Sequence, residues 1–156
     1  MTSELIQFRD AQLSLEGGIA QFSHQRPAAR NALSANLQAD YRDMLDRLQS
    51  DRGIRALVIT GSGGSFCAGG DLKSIQERQA SSDPEVRSAD AMRRRIQSIH
   101  TWLERLHTLE MPVIAAVDGP AFGAGFSIAL AADFILASTR AVFCMSFAKV
   151  GLVPDL

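Results

Sequence analysis

Glycine residues are concentrated in two short segments, and each segment directly follows a predicted strand. Of the 12 glycines, five lie between residues 61 and 70 and three lie between residues 119 and 125. Largely apolar runs at residues 55–60 and 112–117 predict the two buried strands. Small residues allow a ligand to approach main-chain amides closely. Two loops of this kind can direct two amide groups at one oxygen atom, so the pattern indicates chemistry that stabilises an oxyanion.

The second glycine segment leads into an alanine-rich, apolar run that carries no charge until Asp133. This composition predicts a buried helix. The first turn of a helix has amides without internal partners and a partial positive charge, which favours an anion at that end. The alternative is that the small residues serve only close helix packing. The matching composition of the first segment favours the amide interpretation.

These segments resemble sequences of a known enzyme family. Residues 65–72 read Ser-Phe-Cys-Ala-Gly-Gly-Asp-Leu, and residues 119–125 read Gly-Pro-Ala-Phe-Gly-Ala-Gly. They resemble the two oxyanion-hole signatures of the crotonase superfamily, the enoyl-CoA hydratase/isomerase family. Residues 26–33 resemble the family's early turn that contacts coenzyme A, and residues 143–155 resemble its second catalytic segment. The matches follow the family's order and cover nearly the whole chain.

The resemblance implies that the substrate is an acyl-CoA thioester whose carbonyl oxygen lies between two main-chain amides. Carried over residue by residue, these are the amides of Ala68 and Ala124. Alanine stands at the second position, where the family usually has glycine, and this adds a methyl group near the thioester. The resemblance implies no metal and no separate cofactor, since coenzyme A enters as part of the substrate. It places the other substrate and coenzyme A contacts at Ala28, Arg30, Gly69, Gly70, Asp71, Leu72, Gly123, Ser127 and Phe147.

The acid–base residues of the family's hydratases do not match this chain. Those enzymes use two glutamates to hold and activate water, and the corresponding positions here are Ser127 and Phe147. Phenylalanine cannot transfer a proton, and serine is a weak general base without a partner. Asp155 matches the position at which enoyl-CoA isomerases of the family, including the ring-epoxide and phenylacetate-pathway type, carry a single acidic residue. We therefore expect Asp155 to carry a proton.

The surroundings of Asp155 affect this expectation. An apolar wall with Phe122 and Phe147 would raise the pKa of Asp155 toward a useful value if the two rings pack there. The alternative is that the Pro-Asp pair forms only a turn. The family resemblance, not the dipeptide itself, favours the catalytic interpretation.

The sequence leaves three functions open. The favoured one is double-bond isomerisation of an enoyl-CoA, with Ala68, Ala124 and Asp155 as catalytic residues. The second is another activity of the family, such as a hydratase or other lyase with displaced acid–base groups, because one oxyanion hole supports several reactions. The third is a protein that binds CoA thioesters without catalysis.

Composition restricts the class of protein. With 156 residues, 46% hydrophobic content and a net charge of −1, the chain fits one globular domain over residues 1–156. The near-neutral charge gives no reason to expect nucleic acid or a membrane surface as a partner. Two isolated cysteines, together with the absence of a recognisable leader or a membrane-length apolar run, favour the cytoplasm.

Apolar patterning predicts an α/β fold. Short antiparallel strands are expected at residues 5–8, 11–15 and 19–23, followed by a helix with Ser34 at its N-cap that returns to the strand at 55–60. Further helices are expected at residues 71–79 and from Pro84, which suits the first turn of a helix. On the second of these helices one apolar stripe is expected, formed by Met92, Ile96, Ile99, Leu103 and Leu106, and short strands are expected at residues 134–137 and 142–145. The resemblance implies a crotonase-like spiral of strand-strand-helix units, a C-terminal helical part missing from this chain, and a homotrimer or hexamer of the full-length protein.

Several polar residues have structural interpretations. Asp71 is expected to cap its helix, and Ser127 is expected to bond to the helix backbone. The arginines at residues 93–95 are adjacent and cannot share one direction on a helix, so a solvated face is favoured over a clamp for CoA phosphates.

Overall fold

The computed structural model of the chain describes residues 3–154, which form a six-stranded sheet, a two-stranded sheet and four α-helices. The strands are β1 (Glu4–Gln7), β2 (Ala11–Glu16), β3 (Ile19–His24), β4 (Ala56–Gly61), β5 (Val113–Val117), β6 (Pro120–Phe122), β7 (Phe134–Ala137) and β8 (Val142–Cys144). The helices are α1 (Ala35–Ser50), α2 (Leu72–Gln79), α3 (Ala89–His107) and α4 (Ala124–Leu130). Two short 3₁₀ turns lie at Pro27–Ala29 and Ser146–Val150.

The large sheet has the order β1-β2-β3-β4-β5-β7. Strands β1, β2 and β3 pair antiparallel, and β3, β4, β5 and β7 continue the sheet in parallel. Parallel strands have their carboxyl ends at one edge, so the loops after β4 and β5 lie side by side. The antiparallel start and the strand-helix-strand unit of β3, α1 and β4 confirm the prediction from sequence.

Helix α1 begins where the sequence predicts. The Ser34 hydroxyl accepts a hydrogen bond from the Leu37 amide at 2.9 Å and so caps the helix. One face of the helix is buried against the sheet, as its apolar spacing indicates. The residues of this face are Leu37, Tyr41, Met44, Leu45 and Leu48.

Helix α3 begins later than predicted. Its N-cap is Ser88, whose hydroxyl accepts a hydrogen bond from the Ala91 amide at 3.0 Å, and Pro84 lies in the preceding turn segment. The prediction of Pro84 in the first turn is therefore wrong, because the serine cap four residues later sets the start of the helix. Trp102 is buried and stacks on Tyr41 with ring centroids 4.4 Å apart. This contact attaches the C-terminal half of α3 to α1.

A second, two-stranded sheet was not expected. Residues 120–122, which lie in the second glycine-rich segment, form β6 and pair in parallel with β8. This pairing joins residues far apart in the chain, so local composition could not reveal it. None of the helices within residues 3–154 is both long enough and apolar enough to cross a bilayer.

Candidate active site

The loops that follow β4 and β5 are joined by main-chain hydrogen bonds. The amide of Cys67 donates to the carbonyl of Pro120 at 3.0 Å, and the amide of Phe122 donates to the carbonyl of Cys67 at 2.9 Å. The amide of Phe66 also donates to the Pro120 carbonyl, at 3.1 Å. The two glycine-rich segments therefore run side by side, as the sequence predicts, in a short ladder rather than as separate loops.

Two glycines are required by the close approach of these segments. A Cβ atom added at Gly125, in the first turn of α4, would lie 2.2 Å from the carbonyl oxygen of Cys67. Gly69 has a φ of 100°, and a Cβ atom there would lie 2.8 Å from the Phe122 carbonyl oxygen and 3.9 Å from the Ala124 amide nitrogen. No larger residue fits at position 125 without separating the two segments, and position 69 requires a backbone conformation that favours glycine.

One of the two amides assigned from the sequence is already occupied. The amide of Ala68 donates to the carbonyl of Arg30 at 3.0 Å, and the amide of Leu33 donates to the carbonyl of Gly69 at 2.8 Å. The prediction that Ala68 donates to a substrate is therefore wrong, because its hydrogen atom points to the turn at residues 26–33. Within residues 3–154, the amides of Gly70 and Ala124 have no hydrogen-bond acceptor. Gly70, predicted only as a coenzyme A contact, thus has the free amide that was expected at Ala68.

A buried asparagine connects the early turn to the first glycine segment. The side-chain oxygen of Asn31 accepts from the Arg26 amide at 2.8 Å, and its nitrogen donates to the carbonyls of Ser62 and Ser65 at 2.9 and 2.6 Å. Its φ of 55° lies in the left-handed region, which asparagine adopts more readily than most residues. Sequence reasoning missed this residue, although its position inside the segment at residues 26–33 was a signal.

A second buried group supports the same segment from the core side. His24 is fully buried, with Nδ1 2.9 Å from the carbonyl oxygen of Phe66 and Nε2 2.8 Å from the hydroxyl of Tyr41. A carbonyl can only accept, so Nδ1 carries the proton and Nε2 accepts from the tyrosine. Burial lowers the pKa of His24 to about 4, while the bond to Phe66 acts in the opposite direction. No pattern around His24 in the sequence indicated this role.

A cavity of about 670 Å³ lies where these segments meet α2, α3 and the turn at Ser146–Val150. Its size is in the range of small-molecule sites. Eight residues that the sequence assigned to the site line it: Ala68, Gly69, Gly70, Asp71, Leu72, Gly123, Ala124 and Phe147. Apolar side chains of the helices and of the C-terminal turn form much of the remaining wall, namely Ile75, Met92, Ile96, Ile99, Val150 and Leu152.

Part of the predicted apolar stripe of α3 therefore lines the cavity, although Ile99 also packs against the core. Met92 is 40% exposed, and Ile96 and Ile99 are half-buried. The buried residues of this helix are Ala91, Trp102 and Leu106. The stripe turns from the core toward the cavity as it approaches the N-terminus of the helix.

Three residues assigned to the site lie outside the cavity wall. Ala28 and Arg30 are exposed at the turn Pro27–Ala29 and its C-cap. Ser127 is buried, and its hydroxyl donates to the carbonyl of Gly123 at 3.4 Å, which is the backbone bond that the sequence analysis favoured. Phe122 does not line the cavity either, so it is not placed beside Phe147 there.

The carboxylates of the cavity wall are each held by an arginine. Asp71 accepts from the Ser74 amide at 3.2 Å, which confirms it as a helix cap, and pairs with Arg26 at 2.9 Å. Burial acts to raise the pKa of Asp71, but Arg26 and the main-chain amides of Ser74 and Lys73 together outweigh burial and lower it. Glu85 pairs with Arg94 at 2.6 Å. A carboxyl with a lowered pKa is a weak base, so Asp71 is not a poised proton carrier.

The predicted proton carrier, Asp155, lies outside the described residues. Leu152 lines the cavity, and its amide donates to the carbonyl of Phe147 at 3.0 Å. Among residues 3–154, no group of three or more histidine, cysteine, aspartate or glutamate side chains is arranged to hold a metal ion.

Comparisons with known proteins agree with this geometry. The family model for enoyl-CoA hydratase/isomerase matches residues 14–156. The chain is 36% identical to 1,2-epoxyphenylacetyl-CoA isomerase of Escherichia coli, over 90% of this chain and 52% of that protein. It is 38% identical to carnitinyl-CoA dehydratase of Proteus mirabilis, over 92% of this chain and 51% of that protein.

A solved structure shows the same arrangement of elements. The crystal structure of an enoyl-CoA hydratase/isomerase from Cupriavidus metallidurans superimposes with a TM-score of 0.86 and 36% identity, covering 96% of this chain and 54% of that chain. The chain spans about half the length of the relatives it matches. The matched segments include both glycine-rich loops, the early turn and the cavity wall, and the chain belongs to the enoyl-CoA hydratase/isomerase family, with the crotonase fold.

Proposed function

We propose that the chain acts on acyl-CoA thioesters and stabilises a thioester enolate with the amides of Gly70 and Ala124. The observation that carries this proposal is the pair of unused amides on adjacent main-chain segments at one cavity. The thioester carbonyl oxygen accepts both hydrogen bonds. Each such donor typically contributes about 3 kcal/mol to transition-state stabilisation.

The geometry of these donors depends on the backbone and not on flexible side chains. The ladder between Cys67 and residues 120–122 supports one amide, and the turn at Gly123 before α4 supports the other. Helix α4 has only seven residues, so its dipole is small and the two individual N–H groups supply most of the effect. Donors that are fixed in advance need little rearrangement when charge develops.

The reaction we propose is double-bond isomerisation with Asp155 as the proton carrier. The carboxylate removes a proton from the α-carbon of a 3-enoyl-CoA, and the electron pair moves onto the thioester oxygen. The same proton then returns at the γ-carbon, which gives the 2-enoyl-CoA without water. The absence of a glutamate at positions 127 and 147 supports isomerisation over two-glutamate hydration.

Two other functions have specific support. The named relatives include a dehydratase as well as an isomerase, which keeps a lyase with displaced acid–base groups as the second candidate. The lack of an unpaired carboxylate in the described cavity wall supports the third candidate, a CoA-thioester binding protein.

The first experiment measures conversion of a 3-enoyl-CoA to its conjugated 2-enoyl isomer by ultraviolet absorbance. We expect Asp155→Asn to abolish turnover while CoA-thioester binding is retained, and Asp46→Asn, a change on the exposed face of α1, to have no effect. Unchanged turnover in Asp155→Asn removes this residue from the mechanism. Binding without turnover in the unsubstituted chain favours the binding protein, and hydration of a 2-enoyl-CoA favours the lyase.

A second experiment removes one amide. Ala124 is the first residue of α4, where proline is tolerated because the N–H has no intrahelical partner. We expect Ala124→Pro to lower kcat by roughly 10²- to 10³-fold. Ala124→Gly retains the amide and should retain activity, and Ala89→Pro, at the first position of α3, controls for a new proline. Full activity in Ala124→Pro would exclude this amide as a donor.

A further inference from the structure

The wall of the cavity formed by α2 and α3 carries positive charge that the described carboxylates do not pair. Arg78 of α2 and Arg95 of α3 both line the cavity, and both are half-buried. Within residues 3–154, neither forms an ion pair with a carboxylate. The neighbouring Arg93 and Arg94 differ, because each pairs with Asp90.

The acidic groups close to this wall are already engaged. Asp71 pairs with Arg26, and Glu85 pairs with Arg94. Glu77 lies on α2 near Lys73, with a closest distance of 3.9 Å. The charges of Asp71 and Glu77 act to raise the pKa of Arg78, but burial and the charge of Arg95 outweigh them.

The two guanidinium groups also act on each other. Burial and the charge of Arg95 together lower the pKa of Arg78. Arg95 is held in position by a hydrogen bond from its Nη2 to the carbonyl of Val86 at 2.9 Å, which leaves it beside Arg78 despite the like charge. Two cations in one half-buried wall are stabilised when an anion lies between them.

The position of the pair relative to the amides indicates which part of a substrate it meets. Arg78 lies six residues after Leu72, which corresponds to roughly 9 Å along the axis of α2 from its start. The same wall carries apolar side chains, with Ile75 on α2 and Ile96 and Ile99 on α3. A cavity wall that combines apolar side chains with two guanidinium groups matches a hydrocarbon chain that carries an anion.

We propose that Arg78 and Arg95 bind a carboxylate at the far end of the acyl chain, so that the preferred substrates are CoA thioesters of dicarboxylic acids. This inference rests on the proposed function, because it assumes that the thioester lies at Gly70 and Ala124. Ala28 and Arg30, from the early turn that resembles a coenzyme A contact, lie outside the cavity, whereas Gly70, Ala124 and both arginines line it. A guanidinium suits a carboxylate because its planar N–H groups can form two parallel hydrogen bonds.

The experiment compares adipoyl-CoA with hexanoyl-CoA, which have the same chain length and differ in the terminal carboxylate. Binding of each to the unsubstituted chain is measured by titration calorimetry, with free coenzyme A as a third ligand. We expect adipoyl-CoA to bind about tenfold or more tightly than hexanoyl-CoA. Arg78→Gln and Arg95→Gln should each remove most of this preference and leave hexanoyl-CoA binding within about twofold.

Arg93→Gln is the matched control, since Arg93 lies on the exposed side of the same helix and does not line the cavity. Arg78→Lys keeps the charge without the planar group and should retain part of the preference. Thermal unfolding of each variant shows that it is folded.

Several outcomes would overturn the inference. Equal affinity for the two thioesters in the unsubstituted chain means that no carboxylate site exists, while the proposed function remains. Equal losses for both thioesters and free coenzyme A in Arg78→Gln mean that the arginines bind the phosphates instead. If no CoA ligand binds at all, the proposed function itself fails, and the inference fails with it.

Discussion

The two sides of the cavity are built in different ways. The glycine-rich segments at residues 61–70 and 119–125 are joined by main-chain hydrogen bonds, and Phe66, Cys67, Ala121 and Ala124 are buried in them. Helix α2 has no buried residue, and the half of α3 that faces the cavity has only Ala91. The first side sets the positions of two amides, and the second presents side chains that can change without moving those amides.

Under the proposed function, this difference separates the groups that perform the chemistry from the groups that select the substrate. Backbone donors fixed by pairing depend little on side-chain identity, so one arrangement can serve many acyl groups. Side chains on a helix surface contribute little to stability and can vary in charge and size. The relatives fit this division, since an isomerase and a dehydratase share the matched half of the fold.

The largest effect on stability is expected from Gly125→Ala. The added Cβ would lie 2.2 Å from the Cys67 carbonyl, so α4 and the first segment must move apart. We expect a loss of about 4 kcal/mol in the free energy of unfolding, measured by urea denaturation. Gly64→Ala is the control, because Gly64 has a φ of 73° but no atom within 4 Å of an added Cβ. It should cost only about 1 kcal/mol, and equal losses would contradict the close-contact explanation.

Asn31→Ala tests the connection between the early turn and the first segment. The change leaves the Arg26 amide and the carbonyls of Ser62 and Ser65 without their partner. We expect a loss of about 3 kcal/mol by the same measurement, because buried polar groups without partners are costly. Asn36→Ala, on the exposed face of α1, should be nearly neutral. A neutral Asn31→Ala would show that the segments hold together without this side chain.

The buried histidine predicts a pH dependence of stability. Burial lowers the pKa of His24 to about 4, against an ordinary value of 6.5 in the unfolded chain. Between these two pKa values the unfolded state binds more protons than the folded state, so stability rises with pH in this window. The full contribution of His24 to stability is present above the pKa of the unfolded chain. Stability should therefore fall by about 2 kcal/mol between about pH 7.5 and pH 5 through this group.

The measurement compares the unsubstituted chain with His24→Asn at both pH values, so that the contributions of other groups cancel. The stability difference between the two proteins should shrink by about 2 kcal/mol at the lower pH. A difference that stays constant would mean that His24 is protonated in the folded state as easily as in the unfolded chain.

The smallest effect on stability is expected on the helical side. Leu72 lines the cavity but is 55% exposed, so Leu72→Ser should change the free energy of unfolding by less than about 0.5 kcal/mol. Affinity for hexanoyl-CoA should still fall by roughly threefold, because an apolar contact with the acyl chain is lost. A large loss of stability would contradict the separation between the two sides of the cavity.

Local patterns in the sequence were sufficient for several parts of the fold. Ser34 and Asp71 cap the helices that follow them, because a cap needs only a side-chain oxygen and the amide three residues later. The strand-helix-strand unit of β3, α1 and β4 followed from apolar spacing. The placement of the α3 start failed, because Pro84 and Ser88 are both suitable near a helix N-terminus and local preference does not choose between them.

The site was predicted as a region more reliably than as individual groups. Composition and resemblance identified the two glycine-rich segments and eight of the residues that line the cavity. They did not identify Asn31 or His24, because the partners of these side chains, apart from Arg26, lie 17 to 42 residues away in the chain.

The sequence by itself determined that two small-residue loops each follow an apolar strand, because glycine content and apolar runs are local properties. Only the tertiary structure decided that these strands are parallel neighbours and which amides remain unpaired. The amide of Ala68 is used by Arg30 and that of Gly70 is not, since the pairing of residues 30–33 with residues 68–70 sets the alternation along an extended segment. If this pairing shifted by two residues, the composition would be unchanged but a different amide would be free to donate. The register of the pairing depends on contacts between distant parts of the chain.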